Sequence, residues 1–279
     1  MRKQHLRGRG PHFPILDQVV QYEFEPGYVV FMMPSPKRIR VKVGGETIAD
    51  SHRVLVMQES DHLPVYYFPI DDVRQDFLLP SDTVTESPFK GTATHYSINT
   101  GVTLVEDGVW QYTNPVKGCP LIQGYVAFYW GKMGGWFEED EEIFVHARDP
   151  FRRVDILPST RRVQVILDGE QVADSRRGMF LFETGHPTRH YLPIADTRLD
   201  LLSASRYMSR CPYKGIASYY HVTVNGKTHE NLVWYYPEPV HEAERIKGLV
   251  CFHAEAVDKV LIDGEELPKE LTSHSSGYF

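Results

Sequence analysis

The chain states its own sequence twice, and the two copies align over a long stretch without a gap at a shift of 124 residues. Ala49, Asp50 and Ser51 fall on Ala173, Asp174 and Ser175, and Glu59 with His62 falls on Glu183 with His186. Tyr67, Pro69, Ile70 and Asp72 meet Tyr191, Pro193, Ile194 and Asp196, while Pro88, Lys90 and Gly91 meet Pro212, Lys214 and Gly215. Trp110, Tyr112 and Pro115 meet Trp234, Tyr236 and Pro239. This period is far too long for a solenoid or propeller repeat, and each copy has the size of a globular domain, so the chain reads as a duplicated domain. We divide it into an N-terminal tail (1–20), a first repeat domain (21–137), an acidic linker (138–148), a second repeat domain (149–270) and a C-terminal tail (271–279). Duplicated sequence tends to keep duplicated surfaces, so the copies are expected to share one fold and to pair as an internal pseudo-dimer.

Within each copy, short strands dominate. Ile39, Val41 and Val43 alternate before Gly44-Gly45, and Val163, Val165 and Leu167 do so before Asp168-Gly169, a two-residue hairpin signal. The apolar runs Val54 to Met57 and Met179 to Phe182 are expected to pair back across those turns. A further hairpin is signalled at Asn225-Gly226. Proline and glycine recur too often for long helices, leaving one short helical turn per copy, at 70–79 and 194–203. The fold class is therefore mainly β: two tandem small antiparallel domains with few short helices.

A formal net charge of -7 with interspersed signs argues against a nucleic-acid-binding surface. The basic run Arg2, Lys3, Arg7 and Arg9 lacks the apolar stretch of a secretory signal, and no segment is long and apolar enough to span a bilayer, so a cytoplasmic location is expected. Cys119, Cys211 and Cys251 form no disulfide or zinc pattern.

Three polar clusters recur in both copies. The first is Glu59, His62 and Tyr67, repeated as Glu183, His186 and Tyr191. A carboxylate beside an imidazole can fix its tautomer and raise its basicity, which suits acid/base work; the alternative is a histidine that simply holds a turn. The second is Pro-x-Lys-Gly, where the proline and glycine set Lys90 and Lys214 on a rigid bend. Such a lysine can orient an anion, act as a base or amine if desolvated, or pair with Glu59 or Glu183. The third is Trp110-x-Tyr112 and Trp234-x-Tyr236, whose rings share one face of a strand, as core or as the wall of a cavity.

Taken in order, Ala-Asp-Ser, Glu-x-x-His, Tyr-x-Pro-x-x-Asp, Cys-Pro-Tyr-Lys-Gly-x-Ala-x-Tyr and Trp-x-Tyr-x-x-Pro resemble the domain of unknown function 427, a family sometimes labelled nucleotidyltransferase-like. The resemblance covers nearly the whole chain as two copies. It implies a small, mostly β domain of a tent-like or twisted-barrel kind, with a cavity lined by the shared polar residues, and no established reaction. The nucleotidyltransferase label finds no support in these residues, which include no glycine-rich phosphate cradle and no Walker lysine.

Two functions remain open. One is an enzyme acting on a small organic molecule by metal-independent and cofactor-independent acid/base chemistry, of the lyase, hydrolase or isomerase class; the other is a non-catalytic module that binds an anionic or aromatic ligand, or a peptide. The second copy is the expected working half, because Cys211 and Tyr213 stand where the first has Ser87 and Phe89, and Asn231 where it has Asp107. In that half Glu183, His186, Lys214 and Cys211 are the candidate catalytic groups. Tyr191, Tyr213, Tyr220, Asn231, Trp234 and Tyr236 are its candidate binding groups, with Glu59, His62, Lys90 and Trp110 in the first. Cys211 is either a nucleophilic thiol or a small buried filler.

Overall fold

The computed structural model describes residues 20–25, 28–117, 119 and 122–269; the basic run and the C-terminal tail lie outside them. The chain divides into two compact units, Met1–Pro150 and Phe151–Phe279. In the second, a seven-stranded antiparallel sheet faces a four-stranded one. The large sheet runs Val154–Ser159, Gly178–Glu183, Arg189–Pro193, Leu249–Phe252, Lys227–Tyr235, Gly215–Val224, Leu202–Cys211 in spatial order. The small one runs Glu170–Ser175, Val163–Leu167, Lys259–Ile262, Glu265–Glu266. Subtracting the repeat shift turns each strand into its counterpart in the first unit, in the same order, and there one further strand, Val20–Glu25, extends the large sheet.

The expected two-residue turns form, with both central residues at positive φ: 46° and 81° at Asp168-Gly169, 49° and 77° at Asn225-Gly226, 58° and 89° at Gly44-Gly45. Such turns match the twist of the strands they join. The partners across two of them differ from expectation. Ile39–Val43 pairs with Glu46–Ser51, and Val163–Leu167 with Glu170–Ser175, because a two-residue turn leaves the next few residues no other partner. The apolar runs beyond cross into the large sheets, where Leu55–Glu59 and Gly178–Glu183 are interior strands. The helical turns are pairs of single 3-10 turns, at Ile70–Asp72 and Gln75–Phe77 and at Ile194–Asp196 and Leu199–Leu201.

The interval read as an acidic linker is also different. Gly135–Glu138 and Glu141–Ile143 form a hairpin on the small sheet of the first unit. Glu138 is buried there, accepts a 2.5 Å hydrogen bond from the Tyr66 hydroxyl and pairs with Lys37, so its charge is matched rather than solvated.

Alternation along the large-sheet strands divides two cores. In the second unit Phe180, Leu192, Val233, Val250 and Phe252 point between the sheets against Val163, Val165 and Leu167. Leu181, Tyr191, Trp234, Tyr236 and Cys251 point the other way, under Ala243 and Ile246 of the 3-10 segment His241–Ile246. The first unit repeats the outer core with Tyr67, Tyr112 and Ala127. A sheet centre covered on both faces explains why its short strands are almost wholly apolar.

Candidate functional site

The shared motifs separate into a clamp and a charged centre. The clamp is Ala-Asp-Ser with the later aspartate: Ser51 Oγ donates to Asp72 Oδ2 and Ser175 Oγ to Asp196 Oδ2, both at 2.6 Å, and Arg53 and Arg177 close on the same carboxylates. The hydrogen bonds from Arg53 and Arg177 hold these aspartates below the usual carboxylate range. These residues tie the small sheet to the 3-10 turns, which is a structural role in both copies.

The charged centre lies on the outer face of the large sheet. Glu183 ends its strand, and the backbone N–H of His186 donates to the Glu183 carbonyl at 3.0 Å, closing a turn through Gly185 at φ 74°. Glu59, Asp61 (φ 62°) and His62 repeat it, so Glu-x-x-His is first of all a turn spacing. Lys214 sits on the bend before Gly215, whose φ of 99° and 3.1 Å approach of a notional Cβ to the Glu238 carbonyl oxygen require glycine. The lysine carbonyl accepts from Val240 N–H at 3.2 Å, fixing the bend to the outer core.

From these positions Glu183 and Lys214 form a buried ion pair, with side-chain exposures of 4% and 12%. Glu59 and Lys90 do the same in the first unit. A third group distinguishes the centres, and it occupies corresponding positions. Tyr28 donates its hydroxyl to Glu59 Oε1 at 2.8 Å and stacks on Phe89 with ring centroids 4.0 Å apart. Arg152, 124 residues later, donates Nη1 to Glu183 Oε1 at 2.8 Å and lies over the Tyr213 ring at 5.1 Å. Burial is the largest influence on Glu183 and pushes its carboxyl up, but Lys214 and Arg152 together outweigh it and hold the group below its ordinary value. No sequence signal marked Arg152, because the repeat does not preserve it; aligning the differences rather than the identities would have found it.

His186 and His62 are exposed at the mouths of their turns. His62 Nδ1 lies 2.8 Å from the Ser60 carbonyl, a donor contact that leaves Nε2 as the unprotonated nitrogen of the neutral ring. His186 Nδ1 lies 3.3 Å from both the Thr184 carbonyl and Arg152 Nη1. Partial desolvation, aided by the Arg152 charge and opposed by Glu183, lowers its pKa from the ordinary histidine value.

The aromatic pairs share one face as expected. Trp234 and Tyr236 belong to the outer core, and Trp234 Nε1 donates to the buried Tyr191 hydroxyl at 3.0 Å. Trp110 meets Tyr67 edge-on at 6.4 Å and packs against Tyr129 at 4.6 Å. Cys211 is half-buried against the same core. Its counterpart Ser87 accepts hydrogen bonds from Phe89 and Lys90 N–H at 3.4 and 3.2 Å, a turn cap in the first unit. Tyr220 stacks on Tyr235 at 4.9 Å toward the inter-sheet core, on the face opposite Trp234. Asn231 stands at a strand bulge with φ 53°, accepting from Ser205 Oγ at 2.5 Å, as Asp107 does from Ser81 at φ 46°. Short polar side chains tolerate this left-handed geometry, so Asn231 and Asp107 shape the strand and stand apart from the charged centre. Among the described residues no three His, Cys, Asp or Glu side chains gather as a metal site, and no helix is long and apolar enough to cross a membrane.

A family model described as domain of unknown function DUF427 matches residues 31–139 and again residues 155–263. The chain belongs to the DUF427 family, as a tandem pair. The two matches start and end 124 residues apart, the same shift that relates the Glu59 and Glu183 centres. No curated protein matches the chain.

Proposed function

We propose that this tandem DUF427 protein binds a small organic anion, and that the working centre is in the second unit. The observation that carries the reading is Arg152. In the first unit one carboxylate faces one lysine and a neutral phenol; in the second, Glu183 faces Lys214 and a guanidinium beside an exposed imidazole. A guanidinium has five donors in a planar fork, more than Glu183 and His186 use, so a ligand carboxylate or phosphate can take the remainder. Glu183 and Lys214 then serve as a rigid floor that fixes Arg152, and Tyr213 limits its swing.

A second reading, acid/base catalysis without a metal, rests on His186. Its lowered pKa keeps the imidazole neutral at neutral pH beside the anchoring cation, where it can exchange a proton with a bound anion. In that reading His186 is the proton-transfer group of a lyase, hydrolase or isomerase acting in the cytoplasm, while Glu183 and Lys214, engaged with each other, position rather than react. A thermal-shift screen of carboxylates, phosphates and sulfonates against the full chain tests the binding reading, since a ligand of the folded state raises Tm by linkage. A screen in which no hit is lost in Arg152→Tyr would overturn it; turnover of a hit that is lost in His186→Ala while binding survives would establish the second reading.

A further inference from the structure

The inter-sheet face of the second unit holds a cavity of about 190 Å³, on the side of strand Gly178–Glu183 opposite Glu183. Its origin is visible in the first unit. There Trp130 stacks on Trp136 with centroids 4.2 Å apart and planes 2° apart, and Tyr66 packs against Trp136 at 6.2 Å, filling the space. At the corresponding positions the second unit has Ala254, Val260 and His190, all in the cavity lining. Three rings have thus become a methyl, an isopropyl group and an imidazole. Interiors are otherwise packed to near crystal density, so exchanging three rings for smaller side chains opens room at this place.

The walls are chemically selective. Phe180 and Phe182 supply flat apolar surface, and the His190 ring meets Phe180 edge-on at 4.5 Å. Four cations line the cavity, Arg161, Arg189, Lys259 and Lys269, against two carboxylates, Glu255 and Asp258. The carboxylates are engaged: Glu255 with Arg189, and Asp258 with the Gly169 N–H. Arg161 and Lys259 pair with the surface carboxylates Asp263 and Glu266, outside the lining, and the Arg161 guanidinium also lies over the Phe180 ring at 5.8 Å. Surface pairs of this kind are worth about 0–1 kcal/mol, so an incoming anion can share or replace them. Burial, then the charges of Arg161 and Arg189, push the His190 imidazole down to about 4, which leaves it neutral in a positive surround.

We propose that this cavity is a second ligand site, for a single-ring organic anion whose ring lies against Phe180 and Phe182 and whose charge meets Arg161, Lys259 and Lys269. The size fits, since a cavity of about 150 Å³ admits benzene. The proposal is independent of the Arg152 centre, which lies on the other face of the sheet.

The test is isothermal titration of the full chain with benzoate and with benzyl alcohol, its neutral near-isostere. Benzoate is expected to bind saturably in a one-to-one ratio, with benzyl alcohol at least tenfold weaker. Ala254→Trp, which restores the first unit's residue, should abolish benzoate binding; if that variant does not fold, the double variant Arg161→Gln with Lys259→Gln should weaken it at least fivefold while leaving benzyl alcohol unchanged. Arg152→Tyr should leave benzoate affinity as it was. Absence of saturable benzoate binding, equal affinity for the alcohol, survival of binding in the variants, or its loss in Arg152→Tyr would each overturn the assignment.

Discussion

The two Glu–Lys centres are built on the same turn, the same glycine bend and the same strand ends, yet they differ in charge. Glu59 with Lys90 and Tyr28 has a net charge of zero; Glu183 with Lys214 and Arg152 carries one more cation, which also reaches the imidazole at the edge. The same contrast recurs between the sheets, where the first unit is filled by a tryptophan stack and the second is open and cationic. Duplication preserved what makes the turn and the bend, and let the residues around them move in one direction. The spacing shared by the copies therefore reports backbone geometry, and both proposed ligand sites rest on the differences.

The largest expected effect is on stability. Glu183→Ala leaves two half-buried cations without their carboxylate and should cost the second unit about 3 kcal/mol. Glu59→Ala strands one lysine and should cost less; denaturant titration that follows each unit separately compares them, and equal losses would mean that Arg152 is not held by Glu183.

Next is acid sensitivity. The folded pKa of His190 is about 4, well below the ordinary 6.5, so the unfolded chain binds the extra proton first. Stability is then full above about 6.5 and is lost as pH falls toward about 4, by on the order of 3 kcal/mol. His190→Gln should flatten that window for the second unit. The first unit has Tyr66 at this position and should show no such loss from it; a shared profile in both units would break the contrast.

A smaller effect is expected from exchanging the third groups. For whichever anion binds the charged centre, Arg152→Tyr should weaken affinity about tenfold, or about 1.4 kcal/mol, and Tyr28→Arg should create measurable affinity at the first centre. Equilibrium titration at two salt concentrations checks both, because the Arg-dependent part should shrink as salt rises. The smallest effect separates Ser87 from Cys211. Ser87→Ala removes a turn cap and should cost about 1 kcal/mol, whereas Cys211→Ser should change stability by less, since no cap depends on the thiol.

Much of this was legible beforehand. The two-copy organisation, the β class, the hairpins at Asp168-Gly169 and Asn225-Gly226 and the shared face of Trp234 and Tyr236 follow from the period of the side chains and from which residues accept positive φ, both local properties. Strand partners beyond the turns were not legible. Leu55–Glu59 and Gly178–Glu183 look like the return arms of their hairpins, but the short strands before them take that place, and sequence does not rank competing pairings across longer loops. The acidic run at 138–142 looked solvated because the cations that match Glu138, Lys37 and Arg148, are distant or weakly marked in sequence.

The sequence by itself determined the duplication, the positions of the turns and the recurrence of a glutamate, a histidine and a lysine in each copy, because these depend on spacing along the chain. Only the tertiary structure decided that each glutamate is consumed by its lysine, that Tyr220 lies on the face opposite Trp234, and that Arg152 stands beside Glu183 where Tyr28 stands beside Glu59. Those outcomes depend on which strand faces which, and on how much volume neighbouring side chains leave: Arg152 reaches Glu183 across 31 residues of chain, and the cavity exists because Ala254 and Val260 replace two rings that touch only in the folded protein.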